Sequence, residues 1–309
     1  MRLAYMGTPD FAVAPLLALI EAGCDVAVAV TQPDRPRDRG KRVQPPPVKA
    51  AAEKLGIPVL QPDAIKGDAR FLERLKAAGP DLIVVAAYGR MLPPEILGLP
   101  PLGCVNIHAS ILPKYRGAAP IQRAVMDGAK ETGVTLIYMS EDMDAGDIIG
   151  ARRTDVGRKT SAELFRELSL LGAGLLSDSL PALASGRAPA SPQDHASATY
   201  APMVRRQEGR VDFARPPEET ERLVRAMNAH PGAYALYEGK AIKIWGAEAA
   251  GGRCDQPHGT VAYLSEKGIA VSAGGGILTL TELQAPGGRA MAAPDFARGR
   301  RLGAGSVFA

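Results

Sequence analysis

Short apolar runs alternate with helix-like segments through the first 90 residues, and this alternation restricts the fold more than any other feature of the chain. Residues 2–6, DVAVAVT at 25–31, IPVL at 57–60 and DLIVVAAY at 81–88 read as strands. Between them lie helical patterns at about 11–22, 47–55 and 69–78, the first with Pro9 near its start and Gly23 as its stop. Apolar strands joined through helices build a mainly parallel sheet with helices on both faces, a Rossmann-like α/β arrangement whose ligands gather beyond the carboxyl ends of the strands. The usual occupant of such a sheet is a dinucleotide. Here the first strand ends in GTPDFA, without the Gly-x-Gly-x-x-Gly that lets a backbone approach a pyrophosphate, so no nicotinamide cofactor is expected. No Gly-x-x-x-x-Gly-Lys-Ser/Thr loop is present either.

With 309 residues, 46% of them hydrophobic, the chain has room for two domains. A strand at 147–154 and a long helix at 160–186, with Leu164, Leu168, Leu171, Leu175 and Leu176 at helical spacing, complete the first domain. RAPASPQDHASATYAP at 187–202 lacks apolar periodicity and reads as a linker. Beyond it a helix at 216–229 leads into five short strand-like runs, at 233–237, 240–247, 259–265, 268–273 and 277–284, a pattern that fits a small β-barrel of the OB-like kind. The expected division is therefore a catalytic domain at 1–189, a linker at 190–205 and a barrel domain at 206–309. On this barrel Lys243 and Trp245 share one face, where the indole either stacks on a base or packs on a neighbouring element.

Charge and cysteine content narrow the class only a little. Lys plus Arg exceed Asp plus Glu by 37 to 33, too small a surplus to advertise a nucleic-acid binder but compatible with a local basic face. That face has an obvious candidate in QPDRPRDRGKRVQPPPVK at 32–49, where Arg35, Arg37, Arg39, Lys41 and Arg42 outnumber Asp34 and Asp38. It is either a solvated connector or a basic arm reaching a phosphate-rich substrate. Cys24, Cys104 and Cys254 form no Cys-x-x-Cys pair and no even set, which fits a reducing compartment. MRLAYMG carries no charged leader and the longest apolar runs are too short to cross a bilayer, so a soluble cytoplasmic protein without a membrane partner is expected.

The chemistry concentrates between Gly103 and Asp147. Asn106 and His108 are two apart, which on an extended strand aims an amide and an imidazole at one volume. Glu141, Asp142, Asp144 and Asp147 follow, but their spacing is not that of a calcium loop: counting from Asp142, position six is Asp147 and position twelve is Arg153. The four histidines are scattered and Ser110 is in no Gly-x-Ser-x-Gly elbow, so neither zinc nor serine-hydrolase chemistry is indicated, and no metal is expected. An amide, an imidazole and a carboxylate without a protein nucleophile suit direct acyl transfer. Asn106 and His108 can stabilise an oxyanion, each such donor being worth roughly 3 kcal/mol in a dry site, while Asp144 orients the imidazole and gives the released proton a destination.

NIHASILPKYRGAAPIQ followed by MDAGD resembles the signature of the folate-dependent formyltransferases. GTPDFA, TQPDRP with RGK, PPVK, AAYG, GRVDF and HPGAY extend the resemblance over the whole chain, to the bacterial branch that acts on charged initiator tRNA. The resemblance implies that 10-formyltetrahydrofolate is the co-substrate and that methionyl initiator tRNA accepts the formyl group on its α-amine, in a protein expected to be a monomer. It also implies catalytic roles for Asn106, His108 and Asp144, a folate-holding turn at Ser110, Ile111, Leu112 and Pro113, and tRNA contacts from the basic loop and the second domain. Ile111 stands where relatives have Leu, a volume-conserving change, and Ala229 and His230 depart from the usual pattern before the barrel. Two other activities share the donor: formylation of a small amine on a ribonucleotide or sugar nucleotide, and hydrolysis of the formylfolate. A non-catalytic RNA-binding protein is the alternative of a different class.

Overall fold

The computed structural model describes residues 1–37 and 42–309, and the chain divides into two compact units. The first comprises Met1–Pro120, Glu131–Asp155 and Phe165–Pro202; the second comprises Ile121–Lys130, Val156–Leu164 and Met203–Ala309. In chain order the elements up to the end of the long helix are β1 (Arg2–Gly7), α1 (Val13–Glu21), β2 (Asp25–Val30), β3 (Arg35–Arg37), β4 (Arg42–Gln44), α2 (Pro47–Lys54), β5 (Val59–Leu60), α3 (Ala69–Ala77), β6 (Leu82–Ala86), α4 (Pro94–Leu97), β7 (Cys104–His108), α5 (Pro120–Met126), β8 (Glu131–Tyr138), β9 (Ile148–Asp155) and α6 (Ser161–Ala184).

Seven strands form the sheet of the first unit in the order β5-β2-β1-β6-β7-β8-β9. The first five are parallel, whereas β7–β8 and β8–β9 are antiparallel, so the expected mainly parallel sheet carries an antiparallel edge. β6 is buried at every residue and β1 at all but Arg2, as strands covered on both faces require. The chain leaves β1 in both directions, to β2 and to β6, which makes the carboxyl edge beside Gly7, Ala86 and His108 the topological switch point. Gly7 is fixed by packing rather than by a phosphate: a Cβ there would lie 2.7 Å from Ala12 Cβ and 3.0 Å from Ala86 O. Asp68 caps α3 by accepting from Phe71 N at 2.9 Å, and Arg74 and Lys76 occupy its last turn.

The basic segment is a hairpin of its own. β3 and β4 pair only with each other among the described residues, with Arg35 opposite Gln44 and Arg37 opposite Arg42. Arg35 is exposed; Arg39 and Lys41 lie outside the described residues. At its base Lys49 Nζ donates to both Asp34 oxygens, at 3.0 and 2.8 Å, and to Gln61 Oε1 at 2.8 Å. Hydrogen bonds from Lys49 and Gln61 hold the Asp34 carboxyl below the usual carboxylate range.

The second unit contains α7 (Pro217–Met227), β10 (Ala233–Tyr237), β11 (Lys240–Ala250), β12 (Val261–Ser265), β13 (Gly268–Ala273), β14 (Gly276–Gln284), β15 (Ala290–Ala292) and α8 (Ala293–Arg300). Its antiparallel sheet runs β10-β11-β14-β13-β12, with β15 beside β14. Glu238 and Gly239, both at positive φ, make the two-residue turn between β10 and β11. The last residues of the chain bond to both ends of this order: Leu236 and Ala309 exchange backbone hydrogen bonds, and Val261 N donates to Ser306 O at 2.7 Å. The apolar core gathers Ile242, Ile244, Val271, Leu280, Phe296 and Phe308. Helix α8 has no counterpart in the sequence pattern, because eight residues containing Gly299 carry too little periodicity; Phe296 and Ala297, each 2% exposed, define its buried face. Trp245 is half-buried, with Lys243 Nζ 4.8 Å from its ring centroid and its Nε1 donating to Gln284 Oε1 at 2.9 Å.

Candidate active site

Strand β7 carries Asn106 and His108 to the carboxyl edge of the sheet, and the loop between β8 and β9 brings Asp144 back over them. β8 runs antiparallel to β7, with Tyr138 opposite Val105 and Thr135 opposite His108, so the loop after β8 leaves beside the start of β7 and must reach back along the strand to bring Asp144 to Asn106 and His108. Asp144 sits at φ +51°, a left-handed conformation that asparagine and aspartate tolerate better than other side chains. Asn106 Nδ2 lies 3.5 Å from Asp144 Oδ1, and His108 Nδ1 lies 3.5 Å from Asp144 Oδ2. The same Oδ2 accepts a stronger hydrogen bond from Gly117 N at 2.8 Å. His108 Nε2 is 2.9 Å from the carbonyl of Tyr115, which can only accept, so Nε2 carries a proton and Nδ1 faces the carboxylate. The three residues picked out by spacing and charge are thus within reach of one another.

The Ser110–Pro113 turn is braced from below by Thr135 on β8. The Thr135 hydroxyl donates to Ser110 O at 2.7 Å and accepts from Leu112 N at 3.1 Å, while Ser110 Oγ donates to Lys114 O at 2.6 Å. Ser110 and Thr135 are fully buried and Leu112 is 4% exposed. Ile111 lies over Gly133, where a Cβ would come within 2.4 Å of Ile111 Cδ1 and 2.1 Å of Arg152 O; the strand accepts the branched side chain because it has none of its own at that point. The turn is therefore fixed by internal hydrogen bonds to β8 and to Lys114.

Cys104, two residues before Asn106 on β7, does not add a nucleophile. Burial pushes its thiol up to about 12, far from the thiolate a covalent mechanism needs. Among the described residues no three His, Cys, Asp or Glu side chains are grouped to hold a metal ion. No helix among them is long and apolar enough to cross a membrane.

Several residues that support this geometry are invisible to motif reading. The stretch at 187–202, whose composition suggests a linker, is built into the first unit: Ser191 bridges β9 at Ile148, Gln193 is buried, and Ala201 N donates to Arg116 O at 2.7 Å. Gln193 Nε2 donates to Asp144 O at 2.9 Å and Gly146 O at 2.7 Å. Thr135 likewise looks like an ordinary strand residue in ETGVTLIY. The only sequence signal for either is a polar side chain where burial was due, and the Pro- and Ser-rich surroundings of Gln193 conceal even that.

Residues 1–169 match the family model described as formyl transferase, and residues 203–301 match the formyl transferase C-terminal domain. A methionyl-tRNA formyltransferase from Moorella thermoacetica is 46% identical over 309 residues, covering 100% of this chain and 99% of that one. Its counterpart from Heliobacterium modesticaldum is 45% identical and covers all of both chains. Among solved structures, HypX from Aquifex aeolicus superimposes with a TM-score of 0.69 at 19% identity, over 98% of this chain but only 48% of that longer one, and so supports the fold alone. The chain belongs to the formyl transferase family, in its methionyl-tRNA formyltransferase branch.

Proposed function

We propose that this protein transfers the formyl group of 10-formyltetrahydrofolate to the α-amine of methionine carried by initiator tRNA. The observation that carries the proposal is the convergence of Asn106, His108 and Asp144 at the carboxyl edge of β7, next to the braced Ser110–Pro113 turn, in a chain that shares 46% identity along its length with a methionyl-tRNA formyltransferase. In this reading the turn holds the folate. The amine nitrogen attacks the formyl carbon, a C–N bond forms, and the carbonyl oxygen gains charge that the Asn106 amide stabilises, together with the His108 Nε2–H once it turns from the Tyr115 carbonyl to that oxygen. The amine's proton passes to Asp144 directly or through water; the bond from the formyl carbon to the folate nitrogen then breaks, and that nitrogen leaves with a proton.

The basic hairpin supports a macromolecular acceptor. It stands outside the main sheet, and its base is tied down by Lys49, Asp34 and Gln61. Arg35, Arg37 and Arg42 belong to its two short strands, and the sequence places Arg39 and Lys41 between them, a density of positive charge suited to phosphates. The second unit is a further tRNA contact in the same reading. The deciding assay compares formyl transfer to methionyl initiator tRNA, methionyl elongator tRNA and a free ribonucleotide amine. Rapid transfer to the first alone is expected; transfer to the free amine but not to the tRNA overturns the proposal.

A further inference from the structure

The Asp144 loop is held by a side chain from the stretch whose composition suggested a linker. Gln193, 5% exposed, uses both ends of its amide. Its Nε2 donates to the carbonyls of Asp144 at 2.9 Å and Gly146 at 2.7 Å, one residue either side of Ala145. Its Oε1 accepts from Arg116 Nε at 3.2 Å and Arg116 Nη2 at 2.7 Å. Chemistry alone fixes this orientation: a guanidinium only donates and carbonyls only accept, so a flipped amide would set four like groups against one another. Arg116 is itself 4% exposed, and its Nη2 also meets His195 Nδ1 at 3.2 Å. Its backbone is pinned on both sides, by Arg116 N donating to Thr199 O and Ala201 N donating to Arg116 O. The next residue along, Gly117, supplies the 2.8 Å hydrogen bond to Asp144 Oδ2.

Asp144 is thus fixed twice from one scaffold, through its own carbonyl by Gln193 and through its carboxylate by Gly117 N. Each hydrogen bond is needed because the residue holds a left-handed backbone conformation, φ +51°, on a loop between two strands, and that conformation persists only where its surroundings over-determine it. We infer that Gln193, clamped by Arg116, is a positioning residue that sets the Asp144 carboxylate against His108 and Asn106. The inference rests on the proposed formyl transfer and extends it to a segment outside the Asn-His-Asp set. Gln193 acts through Asp144, so its loss lowers turnover while leaving substrate affinity in place; a shift of about 1 Å in a catalytic group is enough to cost on the order of 10²-fold.

The test uses the full chain carrying Gln193→Glu and Gln193→Ala. In Gln193→Glu one carboxylate oxygen still accepts from Arg116, so that side of the clamp is retained, and the rates of both variants are compared well below their own unfolding midpoints. The other oxygen replaces the donor and repels the Asp144 and Gly146 carbonyls. The expected result is a roughly 10²-fold loss of kcat in both variants, KM for the formylfolate and for methionyl initiator tRNA within about threefold of wild type, and faster amide exchange at Gly117. A Gln193→Glu protein that turns over at the wild-type rate overturns the inference, as does one whose loss of rate simply follows a loss of thermal stability. Exchange at Gly117 needs no substrate: if the wild type itself transfers no formyl group, the functional reading fails, while unchanged Gly117 exchange in the variants separately rejects the positioning role.

Discussion

Replacing Thr135 by valine isolates what a single buried hydroxyl does for the proposed folate turn. The side chains are nearly isosteric, so the substitution changes hydrogen bonding and little else. Thr135 is fully buried, and its Oγ1 serves two backbone groups of the turn, donating to Ser110 O at 2.7 Å and accepting from Leu112 N at 3.1 Å. Ser110 and Leu112 are themselves sealed from solvent, so water cannot replace the missing partner. Leaving a buried donor or acceptor unpaired costs about 1–3 kcal/mol, which puts the loss for two groups at roughly 2–6 kcal/mol. For a unit of this size, at about 2–4 °C per kcal/mol, that corresponds to a fall of roughly 4–24 °C in the unfolding midpoint. Thr135→Ser is the control: it keeps both hydrogen bonds and removes one buried methyl, worth about 1 kcal/mol. Far-UV circular dichroism follows the whole chain. The single tryptophan, Trp245, lies in the second unit, so its fluorescence reports that unit separately and should move little. Thr135→Val is also expected to raise KM for the formylfolate, and Thr135→Ser to leave it near wild type. Equal destabilisation of the two variants, or a valine variant within about 0.5 kcal/mol of wild type, refutes this role for the hydroxyl.

Three further outcomes follow from the same geometry. Asp144→Asn keeps an acceptor for Gly117 N but removes the carboxylate facing His108, so kcat should fall by about 10²–10⁴-fold with KM little changed; steady-state kinetics at saturating tRNA check it. Replacing Arg35, Arg37, Arg39, Lys41 and Arg42 by neutral residues should weaken tRNA use and lower the slope of log affinity against log salt by about one for each phosphate that is no longer neutralised, and an unchanged slope would make the hairpin a connector. Asp34, held below the usual carboxylate range chiefly by its hydrogen bond from Lys49, stabilises the folded state above its unfolded pKa, and that contribution is lost as pH falls through the lower folded value. Unfolding free energy should therefore decline more steeply below about pH 4 in the wild type than in Asp34→Asn, and parallel curves would show that the ion pair is not linked to folding.

The sequence by itself determined much of the parallel sheet and picked out Asn106, His108 and Asp144 as candidate reacting groups. Apolar runs flanked by helical patterns specify β1, β2 and β6 because a strand covered on both faces can hold little else, and the spacing of Asn106 and His108 places them on one face because a strand alternates strictly. Five strands of the second unit were legible as short runs between turn residues, whereas the three residues of β15 were too few to show a pattern. What only the tertiary structure decided was which distant segments meet. Residues 191–202 carry no periodicity, yet they place Gln193 beneath Asp144 and seal Ala201 against Arg116, because a buried carbonyl can be satisfied by any donor the chain happens to bring and leaves no local pattern behind. Thr135 is an apolar-strand residue until β8 is laid antiparallel to β7 and the hydroxyl comes beneath the Ser110–Pro113 turn. Local chemistry writes periodicity and turns into a sequence; partnership between segments roughly 30 to 80 residues apart is fixed by packing alone, and that is where the support of the Asn-His-Asp set resides.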